Sequence, residues 1–302
     1  MTEEIAKSKT TSTFLVLGKV VLFLILYTVV IGFLQAFGLL AMQIPFTDSD
    51  ALKSLSLEQN LVLMSLTTIG MILVVLLFRK AIDRKTVKSL GFSFRNGTRS
   101  LFYGLLFAVT IIGGGTLLLY ATGYISLQYA PRGLHTIGIS FLLFILVALN
   151  EEIVMRGYVL STLMGVMNKY LALFISALMF ALTHIFNWNV SFLGITNIFL
   201  AGILLGAAYI YTRNLWFPIS LHLFWNFFQG PVLGYAVSGT SSTGIFKIVD
   251  SGNELINGGM FGFEGSLICT LLMIPAIFIV IRYQQRKTTL AADMVMSEDR
   301  SL

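Results

Sequence analysis

Residues 137–158 read Ile-Gly-Ile-Ser-Phe-Leu-Leu-Phe-Ile-Leu-Val-Ala-Leu-Asn-Glu-Glu-Ile-Val-Met-Arg-Gly-Tyr. The run is apolar up to Leu149, and then Asn150, Glu151, Glu152 and Arg156 arrive within two helical turns. A continuous apolar run without period-two alternation reads as a helix in lipid, not as a barrel strand. A charge near the centre of a bilayer helix costs at least ~2.5–3.5 kcal/mol on insertion scales. A chain that keeps three such charges together either folds them around one another or uses them.

The rest of the chain has the same character. Of its 302 residues 56% are hydrophobic and 11% charged, where a soluble domain has about 25% charged. That balance excludes a soluble core and defines an integral membrane protein. Backbone polar groups must be paired within the bilayer. The expected fold is therefore an all-α polytopic membrane protein, with about eight transmembrane helices of ~20 residues each around an intramembrane cavity. The spans read as 20–42, 60–78, 101–122, 137–158, 171–186, 192–211, 215–228 and 266–281. They divide the chain into a polar segment 1–19, helices one to three over 20–135, a core over 136–230, a loop over 231–265, and a last helix with a polar tail over 266–302. Gly113-Gly114-Gly115 marks a kink or a close contact in span three, and Gly202-x-x-x-Gly206 permits close helix approach in span six.

The net charge of +6 matters through its distribution. Arg79, Lys80, Arg84, Lys85, Lys88, Arg95 and Arg99 crowd the loop 79–99 against one acid, Asp83. With Lys169, Arg213 and the Arg282–Lys287 cluster they fall on the side of both termini, whereas Asp48, Asp50, Asp250 and Glu254 fall opposite. The positive-inside rule then places both termini in the cytoplasm and 231–265 outside, in a bacterial plasma membrane. Such loops do not indicate nucleic-acid binding. The first apolar run is too long for a cleavable signal peptide. The single cysteine, Cys269, excludes an intramolecular disulfide and CxxC-type metal sites.

Inside spans four to seven the polar residues form a small set: Glu151, Glu152 and Arg156 on span four, His184 on span five, His222 and Asn226 on span seven. His135 precedes span four and reads as interfacial. Glu152 and Arg156 are i,i+4 in the favourable acid-before-base order. Glu151 is turned ~100° away, so one carboxylate can pair with Arg156 while the other faces a cavity. His222 and Asn226 also share a face, as do Phe180 and His184. An Arg–Glu pair can simply neutralise itself, and a histidine can tie two helices together. Those readings account for single residues but poorly for six together, and intramembrane ionisable groups are functional hypotheses by default.

Glu151-Glu152-x-x-x-Arg156, Phe180-x-x-x-His184 and His222-x-x-x-Asn226 resemble the three motifs of the CPBP family, the CAAX-protease and bacteriocin-processing intramembrane proteases. The resemblance covers about residues 138–230, and the loop 258–266 also resembles bacterial members. It implies peptide-bond hydrolysis within the bilayer. Glu151 would activate water, His184 would help hold it, and His222 and Asn226 would donate to the oxyanion. Glu152 and Arg156 would support and orient Glu151. Implied substrates are a prenylated-type C-terminal sequence, a bacteriocin or a signalling-peptide precursor. The partners are thus a peptide or membrane-protein substrate and the bilayer.

Two cofactor readings remain open: no cofactor, or a single divalent metal such as zinc on Glu151, His184 and His222, three ligands with an open fourth position. Two other functions also fit intramembrane charges, a non-catalytic immunity or regulatory protein using the same cavity and, on weaker grounds, a transporter or proton relay. Depth poses a problem for a shared site. At ~1.5 Å per residue Glu151 lies about 21 Å from the outer end of span four, and His184 about 20 Å from the inner end of span five. In a ~30 Å core these levels differ by roughly 10 Å. The expectation is that span five starts deeper than hydropathy suggests.

Overall fold

The computed structural model describes residues 2–94, 97–250 and 252–299; Arg95 of the basic segment lies outside them. The principal helices are α1 (Thr2–Ala41), α2 (Leu57–Ile82), α3 (Gly97–Ala121), α4 (Leu134–Leu163), α5 (Lys169–Leu182), α6 (Phe192–Thr212), α7 (Trp216–Phe227) and α8 (Leu267–Asp299). The polar residues after Lys287, read from sequence as a tail, continue α8 as far as Asp299.

Six helices among the described residues are long and apolar enough to cross a membrane: α1, α2, α3, α4, α6 and α8. Their outward faces are apolar, as with Phe33 and Phe37 of α1, which are 73% and 58% exposed. In lipid that exposure carries no penalty. Two of the eight expected spans do not reach the length of these six. Helix α5 has 14 residues, about 21 Å at ~1.5 Å per residue, and α7 with the π-turn that continues it to Val232 has 17, about 25 Å, both shorter than the other six. The expected span over α5 runs past its end into Ile185 and Phe186, which lie in turns, whereas Phe228 continues α7 as the first residue of a π-turn.

Several helices change winding part-way. Leu77–Ile82, Val109–Gly113, Ile153–Leu160 and, after α7, Phe228–Val232 are π-helical. Wider winding displaces carbonyls from their usual partners, and in lipid these must be paired again. Ser176 does so across a helix boundary, donating to Met155 O at 3.1 Å. The glycine run behaves unevenly. The π-turn ends at Gly113, and Gly115 packs where a Cβ would strike the Phe263 ring, whereas Gly113 and Gly114 meet nothing.

Small residues bring α5 and α6 together. A Cβ on Gly202 would lie 3.0 Å from the Ala177 Cα, and one on Gly206 would run into Leu173. At the basic end the loop after α2 is stitched to the α6–α7 turn. Tyr209 donates to Leu90 O at 2.8 Å, Asn214 Nδ2 to Ser93 O at 2.7 Å, and Leu215 N to Gly91 O at 3.0 Å. Asp83, the lone acid of that loop, pairs with Lys19 and with Arg79, the latter at 3.5 Å.

At the opposite end the fold is not purely helical. Strands β1 (Ile125–Tyr129) and β2 (Phe246–Asp250) pair antiparallel with Leu127 opposite Ile248. They fasten the connection after α3 to the long loop before α8. That loop folds back over the bundle. Gly262 (φ 89°) lies where a Cβ would collide with the Ala236 carbonyl, a position open only to glycine.

Candidate functional site

Helix α4 carries the charged cluster at its α-to-π transition, so that Glu151 and Glu152 close the α-helical part and Arg156 sits in the π-turn. The two neighbouring carboxylates diverge. Glu152 is fully buried and Glu151 keeps 31% of its side chain exposed. Glu152 Oε1 accepts from Arg156 Nη1 at 2.8 Å. The guanidinium also donates to Gly202 O at 3.2 Å and lies 4.5 Å from the centroid of the Phe180 ring. The close α5–α6 approach at Gly202 thus also presents a carbonyl to Arg156.

Glu152 differs from the expectation in its second partner. Besides Arg156, its Oε1 accepts from His222 Nδ1 at 2.8 Å. One carboxylate oxygen therefore holds the Arg156 and His222 side chains together. His184 is held in a similar way, with Nδ1 2.8 Å from Phe180 O. A carbonyl only accepts, so Nδ1 carries the proton and Nε2 points the other way. The Phe180 ring packs against both imidazoles, with centroids 4.8 Å from His184 and 6.3 Å from His222.

Both Nε2 atoms converge on Glu151 Oε2, that of His184 at 3.9 Å and that of His222 at 3.8 Å. That oxygen is buried and has no hydrogen-bond partner among the described residues. The depth difference shrinks from roughly 10 Å to about 4 Å for a simple reason. Helix α4 continues past Tyr158 to Leu163, so Glu151 lies about 18 Å from the basic end of its helix, against about 22 Å for His184 measured from Lys169. The change comes from the length of span four, not from a deeper start of span five.

These groups line a cavity of about 830 Å³ that also contains Asn226, which is 4% exposed. Its other walls come from Tyr27 of α1, Asn60 and Met64 of α2, and the loop residues Ser238 and Thr240–Thr243. Lys53 and Asn187 place the mouth at the end opposite the basic loops. Asn150 stands apart from the chemistry, donating to Thr68 Oγ1 at 2.7 Å and tying α4 to α2. His135 is exposed at the start of α4.

One cavity carboxylate escaped the sequence reading. Glu264 is 7% exposed and accepts from Trp225 Nε1 at 3.0 Å, Ser238 N at 2.7 Å and Ser238 Oγ at 2.8 Å. Its only signal was its place in the glycine-rich loop 258–266. Those donors fix the long loop over the end of α7.

The donor set does not fit a metal as it stands. Among the described residues no group of three His, Cys, Asp or Glu side chains is placed to hold one. Glu151, His184 and His222 come nearest, with the carboxylate 3.8–3.9 Å from each nitrogen. Three ligands about 2.1 Å from one tetrahedral zinc keep about 3.4 Å between them. The set as placed is too wide.

A bundle with a glutamate, two oriented imidazoles and a carboxamide in a bilayer-level cavity has the form of an intramembrane hydrolase. Residues 133–228 match the family model described as Rce1-like, type II CAAX prenyl endopeptidase Rce1-like. This segment, α4 to α7, is therefore similar to that family, and the three motifs all lie within the matched residues. It is just under a third of the chain. No curated protein and no solved structure matches the chain.

Proposed function

We propose that the protein is an intramembrane endopeptidase that hydrolyses a peptide bond in a small peptide or membrane-attached substrate, with Glu151 as the base. The observation that carries this reading is Glu151 Oε2, a buried carboxylate oxygen without a hydrogen-bond partner, faced by two imidazole nitrogens 3.8 and 3.9 Å away. Leaving such an acceptor unpaired costs ~1–3 kcal/mol or more. The separations exceed direct hydrogen bonds but suit a shared water, with ~2.8 Å to each neighbour.

In this mechanism Glu151 takes a proton from that water while the oxygen attacks the scissile carbonyl. His184 accepts the second water hydrogen through Nε2. The new oxyanion receives hydrogen bonds from His222 Nε2–H and the Asn226 carboxamide. His222 must be protonated on both nitrogens to donate. Arg156 is permanently charged, so with His222 protonated and both glutamates ionised the four side chains sum to zero. Glu151 then delivers its proton to the leaving amine, and the C–N bond breaks.

The reading extends to topology. Helices α5 and α7 complete an eight-helix bundle without crossing it. The charge asymmetry supports cytoplasmic termini. Peptide profiling of membranes from matched cells carrying wild-type or Glu151→Gln protein tests the activity. A precursor should accumulate only in the variant. A variant that inserts normally and leaves every peptide unchanged would favour the non-catalytic reading instead.

A further inference from the structure

A second cavity, of about 480 Å³, lies at the basic end of the bundle between α3, α6 and α8, remote from Glu151. Its mouth carries Arg99 and Lys287, and among the described residues no Asp or Glu lines it. Both cations are exposed, and neither has an acidic partner among the described residues. Arg99 instead donates to Tyr103 Oη at 3.2 Å and lies over that ring. Tyr283 stands beside it, with ring centroids 6.2 Å apart.

The depth of the cavity has the opposite chemistry. Leu106, Phe107, Phe217, Ile279 and Val280 form its floor and walls. Leu106 is seven residues beyond Arg99 and Ile279 eight before Lys287, so the apolar part extends ~11–12 Å down the bundle from the charges. Leu106 and Ile279 are 46% and 59% exposed, so this part opens sideways to the bilayer. A free anion would use the cations and leave the apolar depth empty, whereas a lipid uses both.

We propose that this cavity binds one anionic phospholipid, its phosphate between Arg99 and Lys287 and an acyl chain along Leu106 and Ile279. The charge matches the anionic lipids of a cytoplasmic leaflet, where each Lys or Arg near the surface contributes about fivefold in affinity. Tyr103 and Tyr283 sit at headgroup level, where amphipathic rings are favoured.

The test is native mass spectrometry of the full chain released from micelles containing equal phosphatidylglycerol and phosphatidylcholine of the same chain length. Wild type should retain one phosphatidylglycerol in preference to phosphatidylcholine. Arg99→Gln with Lys287→Gln should weaken that retention roughly thirtyfold, two charges at about fivefold each. Ser100→Trp, which fills the mouth and keeps both cations, should weaken it as well. Three results would overturn the proposal: equal retention of both lipids by wild type, unchanged retention by Ser100→Trp, or displacement by soluble glycerol 3-phosphate as effective as by the lipid. The last would assign the site to a free phosphate ester.

Discussion

The shared oxygen of Glu152 sets up a perturbation with two separable readouts. Arg156 and Glu152 are 1% and 0% exposed and 2.8 Å apart, and the same Oε1 accepts from His222. Removing one partner of a buried ion pair costs ~3–5 kcal/mol, because the other charge is left alone, whereas replacing both is often near neutral. Glu152→Gln alone should therefore lower the thermal unfolding temperature sharply, and so should Arg156→Met alone. The double variant should recover most of the stability. Catalysis should not recover. The amide oxygen introduced by Glu152→Gln can still accept from His222, but the bond is no longer charge-assisted, and such bonds are worth ~1.5–3 kcal/mol, or about 10- to 150-fold in rate. The assay compares unfolding in detergent with the rate of precursor conversion in membranes. A double variant as active as wild type would refute the assignment of Glu152 to His222. A double variant as unstable as either single would show that the pair is not what Arg156 contributes.

Three further outcomes are expected. Asn226→Ala should reduce turnover ~100- to 1,000-fold, the value of one oxyanion donor, with little change in unfolding temperature; unaltered turnover would remove Asn226 from the mechanism. Gly202→Val should destabilise the protein by ~1–3 kcal/mol through overpacking, since the added carbons meet Ala177, and equal unfolding midpoints for variant and wild type would contradict the close α5–α6 contact. Chelator treatment should leave cleavage intact, because Glu151, His184 and His222 are spaced too widely for one ion. Loss of cleavage with restoration by added zinc would require that set to close around a metal.

Hydropathy identified every principal helix, but α5 and α7 are shorter than the other six, because apolar composition alone does not set where a helix ends. What ends α5 is a run of turns after Leu182, in which Thr183 Oγ donates to Phe180 O at 2.7 Å. The strand pair was missed for a related reason. Ile125, Leu127 and Tyr129 alternate as a strand does, but a five-residue strand needs its partner more than a hundred positions away to be recognisable. Within the site, i,i+4 spacing was enough to expect the Glu152–Arg156 contact. The bond from His222, 70 residues distant, depends on tertiary packing that no local pattern encodes.

The two short helices explain why a polar site can sit within an apolar bundle. A fully crossing helix carries its side chains past mid-membrane on an unbroken backbone and leaves little room for water. Here α5 ends just before His184, and α7 gives way to a π-turn two residues after Asn226. The polar groups therefore sit where regular helix ends, beside a cavity continuous with the loop at Ser238. Lipid-exposed irregular backbone is excluded from the hydrocarbon region, but backbone that lines a polar cavity is tolerated. The long helices α4 and α6 supply the rigid wall, and the two short helices bring His184, His222 and Asn226 to it. Adjacent glutamates on that wall then take different work from a ~100° turn: Glu152 inward to hold Arg156 and His222, Glu151 outward to the cavity.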